Sequence, residues 1–263
     1  MPRPRRAARN DRMNGAVPAA GLPERAPVRR WADGGSRTSV TLTAPFSRKG
    51  RNRMRMLSAE QYVASLSEPP DPVLRDLTAE TTATAPNLQS THYEGLMTAM
   101  LTRVAAPRRA VVLGTFTGYS TLCMARAMPP DGRILACEIN AEWAAVAEKY
   151  WARAGVADRI ELRVGPADAF LRDLPGDPPV DLAFVGADKV NHLRYYEMLL
   201  PLLRPGGVMI IGDALRGGLV LDQECRDEDV VAVREFNTAV AGDDRVHSMT
   251  YPAGDGVTIV YKR

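Results

Sequence analysis

From Leu57 onward the chain alternates between two hydrophobic periods. The segments SAEQYVASLS and DPVLRDLTAETTA carry apolar residues at helical spacing, and Asp71 followed by Pro72 gives the second a cap and a preformed first turn. A longer helix is predicted over about residues 90–105, with Leu96, Met97, Met100, Leu101 and Val104 on one face. The period then shortens. AVVLG (110–114), RILACE (133–138), RIELRV (159–164), VDLAFV (180–185) and GVMIIG (207–212) are short branched-apolar runs, separated by helix-length segments such as NAEWAAVAEKYWARAG and NHLRYYEMLLPLLRPGG. Short apolar runs alternating with helices predict an α/β domain whose mainly parallel sheet is covered on both faces. The final segment, RVHSMTYPAGDGVTIVYKR, reads as two strands around a Gly-Asp-Gly turn, an antiparallel hairpin that closes the sheet.

Charge divides the chain in two. The net charge of +3 combines +11 over residues 1–56, where 14 Lys and Arg face 3 Asp and Glu, with −8 over residues 57–263. The first part is rich in Arg, Pro, Gly and Ala and short of large apolar residues, so a disordered basic arm is expected there, followed by one folded domain from 57 to 263. A basic arm suits nucleic acid or a membrane surface. The acidic domain weighs against nucleic acid as the main partner, and a small molecule is expected instead. No apolar run is long enough to span a bilayer and the Arg-rich start lacks a secretory core, which makes a cytoplasmic, soluble protein the expectation. Cys123, Cys137 and Cys225 are odd in number and widely spaced, the pattern of reduced structural thiols.

In sheets of this kind ligands bind beyond the carboxyl ends of the strands. After the first run stands LGTFTGYS, in which Gly114 and Gly118 permit tight turning and Thr115, Thr117 and Ser120 offer hydroxyls at a helix start. It is not the GxGxxG of a dinucleotide site. Glu138, about twenty residues further on, is placed to accept hydrogen bonds from a ribose diol, and Gly165 to Asp168 follow the third run where a base could sit. Together the three loops describe a nucleoside-binding site.

LGTFTGYSTLCMARAMPPDGRILACEIN, YWARAGVADRIELRVGPA, ADKVNHLRYYE, LLRPGGVMII and GDGVTIVYKR resemble the cation-dependent O-methyltransferase family of catechol and caffeoyl-CoA O-methyltransferases, over roughly residues 57–263. The resemblance implies a Rossmann-like class I methyltransferase fold with a seven-stranded sheet, S-adenosyl-L-methionine as cofactor, a small-molecule acceptor and a homodimer. It implies cofactor contacts from the loop of Gly114, Thr115, Phe116 and Gly118, from Glu138 and Ile139 at the ribose, from Ala167 near the adenine, and from Asp188 with Ser120 at the amino-acid end. Ser90 falls where the family has a cofactor-contacting Thr.

The departures concern the metal. Where the family carries an acid two residues before the loop glycine, this chain has Val112; where it holds a divalent cation with an Asp and an Asp-Asn pair, it has Gly186 and then Gly212-Asp213. One carboxylate, Asp213, makes a poor magnesium site. No metal is therefore expected, and Lys189, which matches the family's Lys, or His192 is expected to act as general base, with Asp213 orienting the acceptor or meeting the cofactor amine. Arg216 replaces an aromatic residue of the acceptor wall. The leading expectation is a metal-independent methyltransferase. Alternatives are an enzyme that alkylates S-adenosylmethionine intramolecularly and releases methylthioadenosine, an RNA methyltransferase, and a non-catalytic cofactor-binding protein.

Overall fold

The computed structural model describes residues 62, 65–85, 89–252 and 254–263. The basic arm expected over 1–56, and most of the helix expected in SAEQYVASLS, lie outside the described residues.

Two helices precede the sheet. In α1 (Pro72–Thr84) the cap is formed as expected, with the Leu74 N–H donating to Asp71 Oδ1 at 3.0 Å. The next helix, α2 (His92–Ala105), starts in a capping box made by Thr91 and Glu94. Its buried stripe is not the expected one. Gly95, Thr98, Ala99 and Thr102 face inward, while Met100 and Val104 are 58% and 82% exposed. The reason is the close approach of Tyr119 and Cys123: a Cβ on Gly95 would lie 2.7 Å from the Tyr119 ring and 3.0 Å from the Cys123 sulfur. Only small side chains fit on that face.

The strands and helices that follow are β1 (Arg109–Leu113), α3 (Tyr119–Ala127), β2 (Arg133–Glu138), α4 (Ala141–Arg153), β3 (Ile160–Val164), α5 (Ala167–Arg172), β4 (Val180–Val185), α6 (His192–Leu202), β5 (Leu203–Ile211), α7 (Glu228–Ala241), β6 (Val246–Tyr251) and β7 (Val257–Lys262). They form one seven-stranded sheet in the order β3-β2-β1-β4-β5-β7-β6. The first five strands are parallel, and β7 runs antiparallel between β5 and β6. Central β1 is buried along its whole length, which is why AVVLG lacks polar alternation. Successive residues still serve opposite faces. Val112 joins the core beneath α1–α4 with Leu77, Leu122 and Trp151, whereas Val111 and Leu113 join the core beneath α5–α7 with Tyr196, Leu199 and Phe236. Lys262 at the end of β7 donates to the carbonyls of Leu200 and Leu203, where a cation suits the C-terminus of α6. The three cysteines are free thiols, and burial pushes those of Cys123 and Cys137 up to about 12 and about 11.

Candidate functional site

The carboxyl ends of the parallel strands open into a cavity of about 1030 Å³. Its floor is the turn after β1. Gly114 has φ +76°, and a Cβ there would lie 2.6 Å from the backbone of Ala187, so the turn passes the β4 loop at glycine distance. Gly118 has φ +89° and accepts the Trp151 indole N–H on its carbonyl at 3.1 Å. Phe116, between them, also has positive φ, at 53°. Glu138 holds it there: Oε2 accepts the Phe116 N–H at 2.6 Å and Oε1 accepts the Asn140 N–H at 3.0 Å. The Glu138 carboxylate is therefore oriented before any ligand arrives. The Phe116 ring meets Trp143 edge to face at 4.6 Å, and both line the cavity.

All ten residues expected at the cofactor line this cavity except one: Ser90, Gly114, Thr115, Phe116, Ser120, Glu138, Ile139, Ala167 and Asp188 are on its wall, and Gly118 stands behind the loop against Trp151. Ser90 and Ser120 share a hydrogen bond at 3.0 Å. Asp188 accepts from the Tyr195 hydroxyl at 2.6 Å and from the Asn191 amide. At the other end of the wall, Arg172 and Arg194 hold the carboxyl of Asp168 below the usual range. Thr115 Oγ1 and Gln89 Oε1 belong to cavity-lining residues and are buried without a hydrogen-bond partner among the described residues. Buried polar atoms are normally satisfied, so these two suit a polar ligand. The set fits a nucleoside with an amino-acid tail: acid for a diol, an unpartnered hydroxyl and amide oxygen, and backbone approached closely at glycine.

The other end of the cavity is built from the loops after β4 and β5. Lys189 is almost buried, its side chain 12% exposed, and its Nζ lies 2.5 Å from Asp213 Oδ2, 2.9 Å from the Ala187 carbonyl and 3.4 Å from that of Gly186. Asp213, with φ +59°, is 38% exposed. The partner of Lys189 is thus Asp213 and not the adjacent Asp188. Arg216 pairs with Asp229 at 3.0 Å on the same wall. His192 departs from expectation. It is 1% exposed, packs edge to face on Phe236 and does not line the cavity. Its Nε2 faces the Ala187 carbonyl at 3.3 Å, and since a carbonyl only accepts, that nitrogen carries the proton. Burial, with Lys189 nearby, pushes the imidazole down to about 4. It is a neutral packing residue and no base for the cavity.

The sequence reading did not single out Trp143, Tyr195, Gln89 or the pair Glu94 and Asp255, which meet when the Asp255 N–H donates to Glu94 Oε1 at 3.3 Å. Trp143 had a visible signal, an aromatic in the first turn of the helix that follows Glu138. The Glu94–Asp255 contact joins segments 161 residues apart and had none.

Strand order, the glycine turn on β1 and the acid closing β2 define a class I methyltransferase. The chain belongs to the O-methyltransferase family, whose model matches residues 64–263. It is 36% identical over 244 residues to mouse catechol O-methyltransferase domain-containing protein 1, covering 89% of this chain and 87% of the relative. It is 39% identical over 212 residues to caffeoyl-CoA O-methyltransferase 2 of Zea mays, covering 76% and 80%. Among solved structures, the O-methyltransferase TomG of Streptomyces achromogenes, involved in tomaymycin synthesis and solved with SAM, superposes with a TM-score of 0.71 at 33% identity, over 76% of this chain and 94% of that one. An O-methyltransferase of Bacillus cereus in complex with SAH gives 0.71 at 29% identity, over 77% and 96%. The protein is an S-adenosylmethionine-dependent methyltransferase of this family. No helix among the described residues is long and apolar enough to cross a membrane.

The residues do not fit a divalent cation. Positions 186 and 212 offer no side-chain donor, the remaining carboxylate is engaged by Lys189, and among the described residues no three His, Cys, Asp or Glu side chains gather as a metal site.

Proposed function

We propose that this protein methylates a hydroxyl of a small-molecule acceptor without a divalent cation, and does so as a homodimer. The observation that carries metal independence is the Lys189–Asp213 contact at 2.5 Å between two glycine positions that lack side-chain donors. S-adenosylmethionine, when bound, supplies a methyl group on a positively charged sulfur. The chain's own residues do the rest. Glu138 holds the ribose end, with Phe116 and Ile139 beside it; Asp188, Ser90 and Ser120 hold the amino-acid end; Ala167 borders the base. Methyl transfer needs the acceptor oxygen held in line in a dry pocket, a demand on placement that no metal has to meet. The relatives named caffeoyl-CoA O-methyltransferase 2 and catechol O-methyltransferase domain-containing protein 1 support a phenolic hydroxyl as the acceptor.

The test is turnover by the full chain with labelled cofactor and a panel of phenols, with EDTA and with Mg²⁺. Methylated product at equal rates in both supports the reading. A requirement for Mg²⁺ overturns metal independence, and methylthioadenosine in place of a methylated acceptor overturns the reaction.

A further inference from the structure

Most charged groups on the cavity wall already have partners. Arg216 is set against Asp229, and Arg194 against Asp168. Lys189 and Asp213 differ from these because they join the loops after β4 and β5, where Gly212 leaves open space beside Asp213 and Gly186 is packed against Phe184. A Cβ on Gly212 would meet only the Val185 carbonyl, at 4.0 Å, and one on Gly186 would touch the Phe184 ring at 3.0 Å. The two partners are unequal. The three acceptors around Lys189 Nζ match the three protons of an ammonium, so the nitrogen has no lone pair turned to the cavity. Asp213 is engaged through Oδ2 alone and is the more exposed of the two.

We propose that Lys189 and Asp213 form the acceptor-activating unit, in which Asp213 takes the proton of one acceptor hydroxyl and Lys189 supplies the fixed positive charge beside that oxygen, so that the acceptor class is a phenol with a single acidic hydroxyl and not a vicinal diol. This rests on the methyltransferase reading above. The steps balance. The hydroxyl proton passes to the Asp213 carboxylate, an oxygen lone pair forms the C–O bond, the C–S bond breaks with its electron pair going to sulfur, and Asp213 returns the proton to water. Lys189 remains an ammonium throughout. As Asp213 is neutralised, the positive charge it had balanced turns to the acceptor oxygen. A divalent ion can clamp two adjacent oxygens, whereas an ammonium already bonded to Ala187 has one direction to offer, so a second hydroxyl on the acceptor gains nothing. Other charged groups near the pair are Asp188 on the same loop and Arg216 with Asp229 on the same wall; His192, behind that wall, is kept neutral by burial.

The experiment uses 4-nitrophenol and 4-nitrocatechol, whose absorbance reports ionisation, titrated into the EDTA-treated full chain holding S-adenosylhomocysteine. Both probes are expected to bind within about threefold of one another, and bound 4-nitrophenol is expected to ionise about one pH unit lower than in water, as an acid beside a cation does. Lys189→Met abolishes that shift and weakens the bound anion roughly tenfold, a factor typical of one charge-assisted contact. Asp213→Asn, which removes the anion balancing Lys189, enlarges the shift but slows turnover of unsubstituted phenol far more than that of 4-nitrophenol, which needs no base. Lys189→Gln is the second variant, and thermal denaturation with calorimetric S-adenosylhomocysteine binding verifies that each variant is folded. Tenfold preference for the catechol, or a shift that survives in both Lys189 variants, overturns the proposal. Calorimetric cofactor binding with no binding of either phenol also overturns it while leaving the methyltransferase reading in place; loss of cofactor binding in the parent protein strikes that reading itself.

Discussion

The Glu138 carboxylate accepts the backbone N–H of Phe116 at 2.6 Å, and so fixes the one residue of the β1 turn that adopts positive φ without being glycine. A single side chain therefore holds the loop and, in the proposed function, the ribose as well. Glu138→Ala loses both roles. It is expected to weaken S-adenosylhomocysteine binding roughly 10- to 100-fold, since a hydrogen bond to a charged group contributes about 1.5–3 kcal/mol. Isothermal calorimetry measures this, and an unchanged Kd would mean that Glu138 acts on the loop alone.

Gly114→Ala is expected to destabilise the fold as well as the site. Its φ of +76° disfavours any Cβ, and the Cβ would lie 2.6 Å from the Ala187 backbone, which cannot move without shifting the loop that carries Lys189. The cost is expected to be about 3 kcal/mol. Urea denaturation reads the stability, and cofactor affinity should fall in parallel.

His192 makes stability depend on pH. Its folded value of about 4 lies below the roughly 6.5 of an unfolded chain, so the unfolded state binds the extra proton first. The contribution is complete above about pH 6.5 and is lost as pH falls from there toward 4, by about 3 kcal/mol at most. Comparing urea midpoints at pH 7.5 and 5.0 tests this. His192→Phe, which keeps the packing on Phe236, should flatten the difference.

The exposed apolar positions of α2 bear on assembly. Met100 is 58% exposed and Val104 82% exposed, one turn apart. If these positions pack in the proposed homodimer, Val104→Glu should shift the sedimentation coefficient from dimer to monomer at micromolar protein. A parent chain that sediments as a monomer would remove the dimer from the functional reading.

The sheet was legible because its central parallel strands, β1 and β4, are buried on both faces, and such strands leave uninterrupted branched-apolar runs such as AVVLG and VDLAFV. The cavity wall was legible for a related reason: Gly114 follows β1, Glu138 ends β2 and Ala167 stands three residues beyond β3, so a local reading of sequence places them at the carboxyl end of the sheet. The inward face of α2 was not. Hydrophobicity pointed to Met100 and Val104, but what decides that face is how near α3 comes, and nearness is recorded in Gly95, Thr98 and Ala99, which pattern reading treats as neutral. His192 was misread for the same kind of reason. It was expected as a base because an imidazole titrates near neutral pH, while its surroundings depend on Phe236, 44 residues away in sequence.

Strand β7 is made after both of the strands between which it lies. While the ribosome is still adding residues 257–262, β6 has no partner on the sheet and β5 has an open edge, so a nascent chain complete through Tyr251 exposes the backbone groups that β7 will cover. Folding of this domain is consequently tied to the synthesis of residues 257–262. A chain truncated before Val257 would keep the five parallel strands with a sticky border, a species for chaperones and proteases rather than a smaller enzyme.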